Sequence, residues 1–444
     1  MFEIKGKYTT AKVMIDKIDA TADSQIHALV NHIAFDKPVA IMPDTHAGAG
    51  AVIGFTMELG NKIIPNIVGV DIGCGMLTFE MWDLLEGTLM SEALCKHLDE
   101  EIRRWIPTGT NVHTNKSFMY KMENEFPWKK VAEQGRLFTM AFNKKYGTKF
   151  PVPKYGKKWF QAKCSEIGMD IPRAIRSLGT LGGGNHFIEI GRCEKGKLWC
   201  TVHSGSRQFG QKIALYWQRV AAGKKRTKKE MAKIIKRIKE TLPKEMWQKE
   251  ISRAKNPKKN MVKGLEYLEG ENMFGYLTDM VFAQAYAEEN RKIMKDLMLM
   301  IFGQPLEQNE IECSHNYIDF RDFIIRKGAT AAHKGQKIII PFNMEDGTLI
   351  CEGKGNPEWN YSAPHGAGRL MSRKKAKEAA AEKGLVETAK KRMAEKGIFA
   401  SALPADELRN AYKNCAVIEK AIGPTAAIIN RIKPIMAIKE GERK

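Results

Sequence analysis

Residues 178–190 read LGTLGGGNHFIEI, and residues 198–207 read LWCTVHSGSR. Each contains a short strand-like apolar run, HFIEI or LWCTVHS, with glycines and polar side chains gathered at one end. Active-site groups are common where strands give way to loops, so the pair predicts two strands offering His186 and His203 to a shared site. Similar glycine-framed or turn-borne polar clusters occur at 42–50 (MPDTHAGAG), 69–76 (GVDIGCGM), 311–319 (IECSHNYID) and 362–373 (SAPHGAGRLMSR). Five of the ten histidines, His46, His186, His203, His315 and His365, fall in these clusters, a concentration that scattered surface histidines would not give. No linker long enough to separate independent domains interrupts them, so clusters spread from residue 44 to residue 365 must converge through one fold.

At 444 residues and 43% hydrophobic content the chain can build a large core. The first residues lack a signal-peptide apolar stretch, and no later run approaches the ~18 apolar residues of a membrane span. Eight cysteines without a C-x-x-C pair fit a reducing compartment. A cytoplasmic protein without a membrane segment is expected. The formal net charge is +21. Much of it lies between Lys224 and Lys263, where sixteen Lys or Arg face four Glu. Within that stretch Met231, Ile234, Ile235 and Ile238 recur at helical spacing, so a basic helical insert with one packed stripe is expected over about 220–264. Such a face suits a phosphate backbone, although a basic patch can also be a solubilising surface.

Short apolar runs punctuated by Gly, Pro and Asn predict strands over the first 90 residues, followed by a helix from about Met90 to Trp105. Residues 108–158 read as helix plus irregular loop. The longest helix is expected at 275–303, with Leu277, Met280, Val281 and Phe282 starting an apolar face. A strand-rich region from Ile311 to Glu352 leads to the His365 loop, and residues 369–397 predict a basic helix interrupted near Gly384.

Asp71 and Cys74 follow an apolar run, and Gly73 permits a turn that aims carboxylate and thiolate at one point. Three residues apart, they can share a divalent metal; the alternative is a buried cysteine in a tight turn. His186, His203 and His315 in comparable turns favour the metal site. Wide sequence gaps exclude a compact structural zinc module. Asp44 suits either catalysis or a self-satisfied bend, and His46 is expected to belong to such a bend. Asn185 offers an amide to a phosphate or ribose oxygen, and Glu189 could accept from a nucleobase edge, though alone it reads as a strand-end acid. Arg326 and Lys327 are expected as surface charge, and His333 as exposed. His365, framed by Gly366 and Gly368 with Arg369 four residues on, suits a nucleophile approached by a large anionic ligand.

Together MPDTHAG, GVDIGCG, LGGGNHFIEI, HSGSR, SHN, RKGA, HGAGRLMSR and the closing KPIMAIK closely resemble the RtcB-type RNA-splicing ligases, over about Pro38 to Lys439. Six or more motifs in one order are highly specific. The resemblance implies a single large α+β domain over 1–444 with mixed sheets around a metal pocket. It implies that His365 attacks GTP to form a histidine–GMP adduct, with Asp44 also in the catalytic set. GMP then passes to an RNA 3′-phosphate, opened first where it is a 2′,3′-cyclic phosphate, and a 5′-hydroxyl attacks the activated end and expels GMP. Covalent catalysis of this kind divides one difficult step into easier ones. Two Mn2+ ions are implied, bridged by Cys74, one completed by Asp71 and His186 and the other by His203 and His315. Manganese rests on the resemblance, since zinc would bind a thiolate–imidazole set more tightly. The implied nucleotide contacts are Asn185, Glu189, Asn316, Pro341, Phe342, Asn343, Met344, Thr348, Gly366, Ala367, Gly368, Arg369, Tyr412 and Lys439.

Four features depart from the family pattern. A turn that usually reads P-G-S-M is PFNM, so bulky Phe342 and Asn343 stand where backbone should approach the nucleotide, and an altered GTP preference is expected. Gln208 follows HSGSR where glycine is usual, EGERK follows where a chain of this family ends one residue later, and the basic insert looks enlarged. The leading reading is a GTP- and Mn-dependent RNA ligase of tRNA splicing or RNA repair, expected to be a monomer whose partners are RNA and GTP, with any activating protein unidentified. The alternatives are a hydrolase of RNA cyclic-phosphate ends and a non-catalytic RNA-binding relative.

Overall fold

A computed structural model describes residues 1–81, 91–114, 124–223, 228–255 and 262–441. The parts of the basic insert at 224–227 and 256–261 lie outside the described residues. Two larger sheets organise the chain. The first comprises β1 (Phe2–Lys5), β2 (Thr10–Val13), β3 (Val39–His46), β4 (Ile53–Glu58), β11 (Asn316–Asp319) and β12 (Ile324–Lys327), in the order β1-β2-β3-β4-β12-β11. It is mixed, because β2 and β3 run parallel while its other pairs are antiparallel.

The second sheet is antiparallel and comprises β6 (Gly75–Met81), β7 (Phe187–Cys193), β8 (Leu198–Ser204), β10 (Glu310–Ser314), β14 (Lys337–Pro341), β15 (Thr348–Gly353) and β17 (Ala426–Ile438). Their order is β10-β6-β8-β7-β17-β15-β14. Two small pairs complete the strands: β5 (Lys62–Ile63) with β9 (Leu268–Glu269), and β13 (Ala329–Ala331) with β16 (Ser362–Pro364). Alternation packs both faces of the second sheet. Leu77 and Phe79 of β6 join the main hydrophobic cluster, whereas Met76 joins a second cluster with Ile338, Ile340, Leu349 and Ile432. This is the expected α+β domain.

Strand register sets the site. Gly75 pairs with Ser204 on one side and with Ser314 on the other, and Phe187 pairs with His203. Cys74, His186 and His315 each lie one residue beyond a paired position, so four strands from distant sequence bring their chemistry to one end of the sheet. A one-residue slip would turn His203 to the opposite face.

The helix Gly270–Ile301 supports that end from behind. It is buried around its circumference over Met273–Ala283, not along the single expected stripe, because sheets and helices enclose it. Gly73, at φ 73°, lets the 71–74 turn lie against it: a Cβ there would come 3.0 Å from the Cβ of Ala287. Two helix residues then fasten the loops. The Asn290 amide accepts from the Thr180 amide and donates to the Ser204 hydroxyl and the Gly205 carbonyl. The fully buried Arg291 guanidinium donates to the carbonyls of Gly73 and Ser204 at 2.7 and 2.9 Å and to Glu312.

The other expected elements are close to their places. Ser91 caps the helix Glu92–Trp105 through the Leu94 amide, and the 108–158 region contains a 19-residue helix, Trp128–Tyr146, stronger than expected. Gly384, left-handed at φ 58°, separates the helices Arg373–Glu382 and Leu385–Glu395. Within the insert the helices Lys228–Thr241 and Lys244–Lys255 pack against one another, with Ile238 buried. Among the described residues no helix is long and apolar enough to cross a membrane.

Arg326 and Lys327 overturn the expectation of surface charge, since both are buried. Arg326 donates to the Ser362 hydroxyl and to Asp322, and Lys327 donates to the carbonyls of Ala49 and Asn66. Burial pulls the Lys327 ammonium down to about 8. His333 is half-buried rather than exposed, 3.1 Å from Asp322.

Breaking a buried charge network by removing one partner typically costs about 3–5 kcal/mol. Arg291→Met is therefore expected to lower the thermal and urea midpoints by an amount toward the lower end of that range, because it strands the buried carbonyls of Gly73 and Ser204 while Glu312 keeps access to water. The surface change Arg104→Met, at an exposed i,i+3 pair, should stay within about 0.5 kcal/mol. Equal midpoints for the two variants would contradict the assigned role of Arg291.

Candidate active site

Five side chains meet where the four strands end. The Cys74 sulphur lies 3.5 Å from His186 Nε2 and 3.4 Å from His203 Nε2, and the latter is 3.2 Å from His315 Nε2. Asp71 Oδ2 lies 3.0 Å from His186 Nε2, while its Oδ1 accepts from the Ser206 amide. They form two donor groups that share the sulphur: Cys74 with His203 and His315, and Cys74 with Asp71 and His186.

Proton accounting shows that these groups fit cations. His186 Nδ1 lies 2.9 Å from the Leu181 carbonyl, an acceptor only, so Nδ1 carries the hydrogen and, in the neutral ring, the Nε2 lone pair faces both carboxylate and sulphur. Burial, then the charges of neighbouring histidines, drives the imidazoles of His203 and His315 well below their usual range, leaving them neutral ligands. Burial, followed by the Asp71 charge, pushes the Cys74 thiol well above its ordinary value. Burial opposes ionisation of Asp71; its carboxyl is held down, at about 2, by the hydrogen bond and charge of a protonated His186, a role that a cation takes over where the neutral ring turns its lone pair to the carboxylate. A cation bound to the sulphur would displace its proton and reverse the cost of burying a thiolate. A third group, Asp319, Asp322 and His333, lies elsewhere, and there Arg321 and Arg326 already supply the countercharge.

His365 follows β16 and stands beside His315, ring centroids 4.7 Å apart. Its Nδ1 lies 2.6 Å from Asp44 Oδ2, which also accepts from the His365 backbone amide. Asp44, wholly buried near the end of β3, thereby sets ring orientation and leaves Nε2 as the atom with a free lone pair. Gly368 makes this approach possible: a Cβ there would lie 2.2 Å from the Asp44 carbonyl oxygen, and φ is 74°. His46 is not in a bend: it is the last residue of β3 and lines the cavity, with Nδ1 2.9 Å from the Asp44 carbonyl, and burial brings its imidazole down to about 4.

His365 opens into a cavity of about 790 Å³ that reaches His203 and His315 at one end. Asn185, Glu189, Asn316, the turn Pro341–Met344, Gly366, Ala367, Gly368, Arg369, Tyr412 and Lys439 line it. Thr348 stands behind the wall and donates to Glu189 at 3.0 Å. Glu189 is not a strand-end acid. It sits within β7, and burial outweighs Thr348 and Lys439 to raise its carboxyl to about 7. Phe342 sends its bulk into the second hydrophobic cluster, 4% exposed, and the Asn343 side chain closes the turn by accepting from the amides of Glu345 and Asp346. The expected obstruction of the turn therefore gives way to packing.

Asp71 also lines a second cleft, of about 370 Å³, with Arg173, Arg207, Gln208 and Glu440. Gln208, one departure from the family pattern, thus shares this cleft with Asp71 and Glu440.

Sequence reasoning missed Glu407, which is buried against the cavity and accepts from four donors of its wall. Its only sequence signal is an acid five residues before Tyr412. It also missed Asn290 and Arg291, which look like ordinary polar positions of a long helix.

The family described as tRNA-splicing ligase RtcB matches residues 25–440. The RNA-splicing ligase RtcB of Escherichia coli K12 is 30% identical over 95% of each chain. The tRNA-splicing ligase RtcB of Aeropyrum pernix is 26% identical over 90% of this chain and 87% of its own, and RNA-splicing ligase RtcB homolog 1 of Entamoeba dispar is 25% identical over 90% and 78%. The family match takes in all five donors and the cavity wall from His46 to Lys439. The chain belongs to the RtcB family of RNA-splicing ligases.

Proposed function

We propose that this chain joins RNA 3′-phosphate or 2′,3′-cyclic phosphate ends to 5′-hydroxyl ends by way of a His365–GMP adduct, in tRNA splicing or RNA repair. The observation that carries the reading is the His365–Asp44 pair, which aims one ring nitrogen into a nucleotide-sized cavity beside the shared-sulphur donor cluster. His365 Nε2 attacks the α-phosphorus of GTP, forming a P–N bond as pyrophosphate leaves. A 3′-phosphate oxygen of RNA then displaces the imidazole and produces an RNA–pyrophosphate–guanosine end. The 5′-hydroxyl attacks the phosphorus nearest the RNA and GMP departs. Where the end is cyclic, water opens it first.

Asp44 orients the imidazole and stabilises its positive charge during P–N bond formation. Arg369, the Gly366–Gly368 backbone and Asn185 suit the phosphates and ribose, while Glu189, Tyr412 and Lys439 suit the guanine end. Two manganese ions, held through Cys74 by Asp71 with His186 and by His203 with His315, would offset phosphate charge and orient attacking and leaving oxygens. Residues 1–444 act as one catalytic unit, a cytoplasmic monomer in a compartment that keeps its thiols reduced. The insert over about 220–264 docks RNA backbone without reading sequence, since lysines dominate it.

His365→Ala should abolish acid-labile, denaturation-resistant labelling by α-labelled GTP while retaining bound metal; Asp44→Asn should reduce the labelling rate by about 10²-fold or more, in the range for loss of an orienting acid. Full labelling of the alanine variant would remove His365 from the mechanism.

Cys74→Ser should lose most bound manganese by elemental analysis, because a hydroxyl is a far weaker ligand than a thiolate. Cys95→Ser, in the helix Glu92–Trp105, should keep its metal. A fully loaded Cys74 variant would overturn the shared-sulphur arrangement.

Replacing exposed Lys236, Lys239, Lys244 and Lys249 with glutamine should weaken binding to any single-stranded RNA. The slope of log K against log salt should become shallower by up to about 0.7 for every RNA phosphate that the insert no longer neutralises. An unchanged slope would return the insert to a solvated surface.

A further inference from the structure

Glu407 occupies a place that the reaction scheme above leaves unused. It is 3% exposed, and both of its oxygens are filled. Oε1 accepts from Arg369 at 3.2 Å and from Arg373 at 2.7 Å; Oε2 accepts from the Tyr412 hydroxyl and from Lys439 Nζ, each at 2.8 Å. A carboxylate has about four acceptor sites, so this one is saturated. The donors come from three separate segments: the loop after His365, the turn at Tyr412, and the residue that follows β17. Burial works against a charged Glu407, but Lys439 and Arg373 outweigh it and hold the carboxyl at about 2.

The contrast with Glu189 is informative. Both carboxylates line the same cavity, and Lys439 acts electrostatically on each. Lys439 gives its hydrogen bond to Glu407, and its ammonium lies 5.4 Å from the centre of the Phe187 ring, which limits the directions open to it. Among the described residues Glu189 has Thr348 as its hydrogen-bond donor, on Oε1. Acceptor capacity therefore remains on Glu189, and a cation stands fixed nearby. Guanine presents one acceptor, O6, beside two donor positions, N1–H and the N2 amino group. A free carboxylate with a separate, fixed ammonium complements that edge. Adenine, with an amino donor where guanine has O6 and no N1–H, does not match it. If Lys439 instead paired with Glu189, both groups would satisfy each other and the edge would be lost.

We propose that Glu407 is a positioning residue for guanine selectivity: it anchors Lys439 away from Glu189, so that the carboxylate and the ammonium stay separately available to the base. This role rests on the nucleotide reading of the cavity given above. It explains why an acid is buried among four donors at the point where the nucleophile's loop meets the end of β17. Glu407 touches no reacting atom and acts through Lys439.

Equilibrium binding tests it without turnover. The full-length, manganese-loaded protein is dialysed against radiolabelled GMP, with unlabelled GMP and AMP as competitors, and Glu407→Gln is compared with the unsubstituted chain. The unsubstituted chain should prefer GMP, and the variant should lose about tenfold or more of that preference, the scale of one charge-assisted hydrogen bond. Loss through Arg369, which meets the phosphate of either nucleotide, should be shared by GMP and AMP, and the loss through Lys439 should fall on GMP in addition. The effects of Glu407→Gln and Lys439→Met on the GMP/AMP ratio should be non-additive in the double variant, as expected of groups acting in one chain. Should Glu407→Gln fold poorly, Glu407→Asp carries the same comparison, since the shorter acid keeps its charge and cannot span the distance to Lys439. Equal loss of GMP and AMP affinity, or an unchanged ratio in a folded and metal-loaded variant, overturns the role of Glu407 alone. Equal binding of GMP and AMP by the unsubstituted chain overturns the guanine reading and this role with it.

Discussion

A thiol, a carboxylate and three imidazoles gathered within hydrogen-bond distances of one another in a buried pocket hold more lone pairs than hydrogens to fill them. His186 points a lone pair at both Asp71 and Cys74, while His203 and His315 face each other through the same kind of atom. In water such groups would move apart; here strand register and two helix side chains prevent it. Arg291 illustrates the cost of that restraint, because a fully buried guanidinium must have the N–H donors around its edge hydrogen-bonded to be tolerated. Its partners are the backbone carbonyls of the ligand-bearing turns, so the same bonds that satisfy the cation hold the donors together. The protein itself preorganises the donors that a cation would meet.

The second theme is how a nucleophile is aimed. Asp44 lies near the end of one strand of the six-stranded sheet, and His365 follows a strand of a small separate pair, so their contact joins two structural units. Gly368 permits the backbone approach on which that contact depends. Substitution at this glycine would disturb ring orientation by pushing the His365 loop away from the Asp44 backbone.

Much of the site is legible in the sequence because its chemistry sits in short motifs. Asp71 and Cys74 share one turn, His365 is framed by glycines, and His186 and His203 stand at strand ends, each a local arrangement that residue types reveal. What is illegible is long-range. Nothing local marks Asn290 and Arg291 as clamps, since polar residues on a long helix usually face water. Arg326 and Lys327 look like surface charge for the same reason; burial comes from neighbours hundreds of residues away, such as the Ala49 and Asn66 carbonyls that receive Lys327. Phe342 looks obstructive because sequence gives the size of a side chain and not its direction. The α+β class follows from the resemblance, and the coarse pattern of strands and helices agrees with it, but strand order could not be read from either.

That order has a bearing on synthesis. The strand β17, formed by residues 426–438, lies between β7 and β15 in the interior of its sheet, although it follows every other strand described. A nascent chain that has emerged only as far as residue 425 therefore presents two unsatisfied strand edges facing a gap, a natural target for chaperones or for a neighbouring chain. Lys439, immediately after this strand, reaches the cavity only once the gap is filled. Insertion of β17 thus closes the sheet and brings Lys439 to the cavity wall in one step.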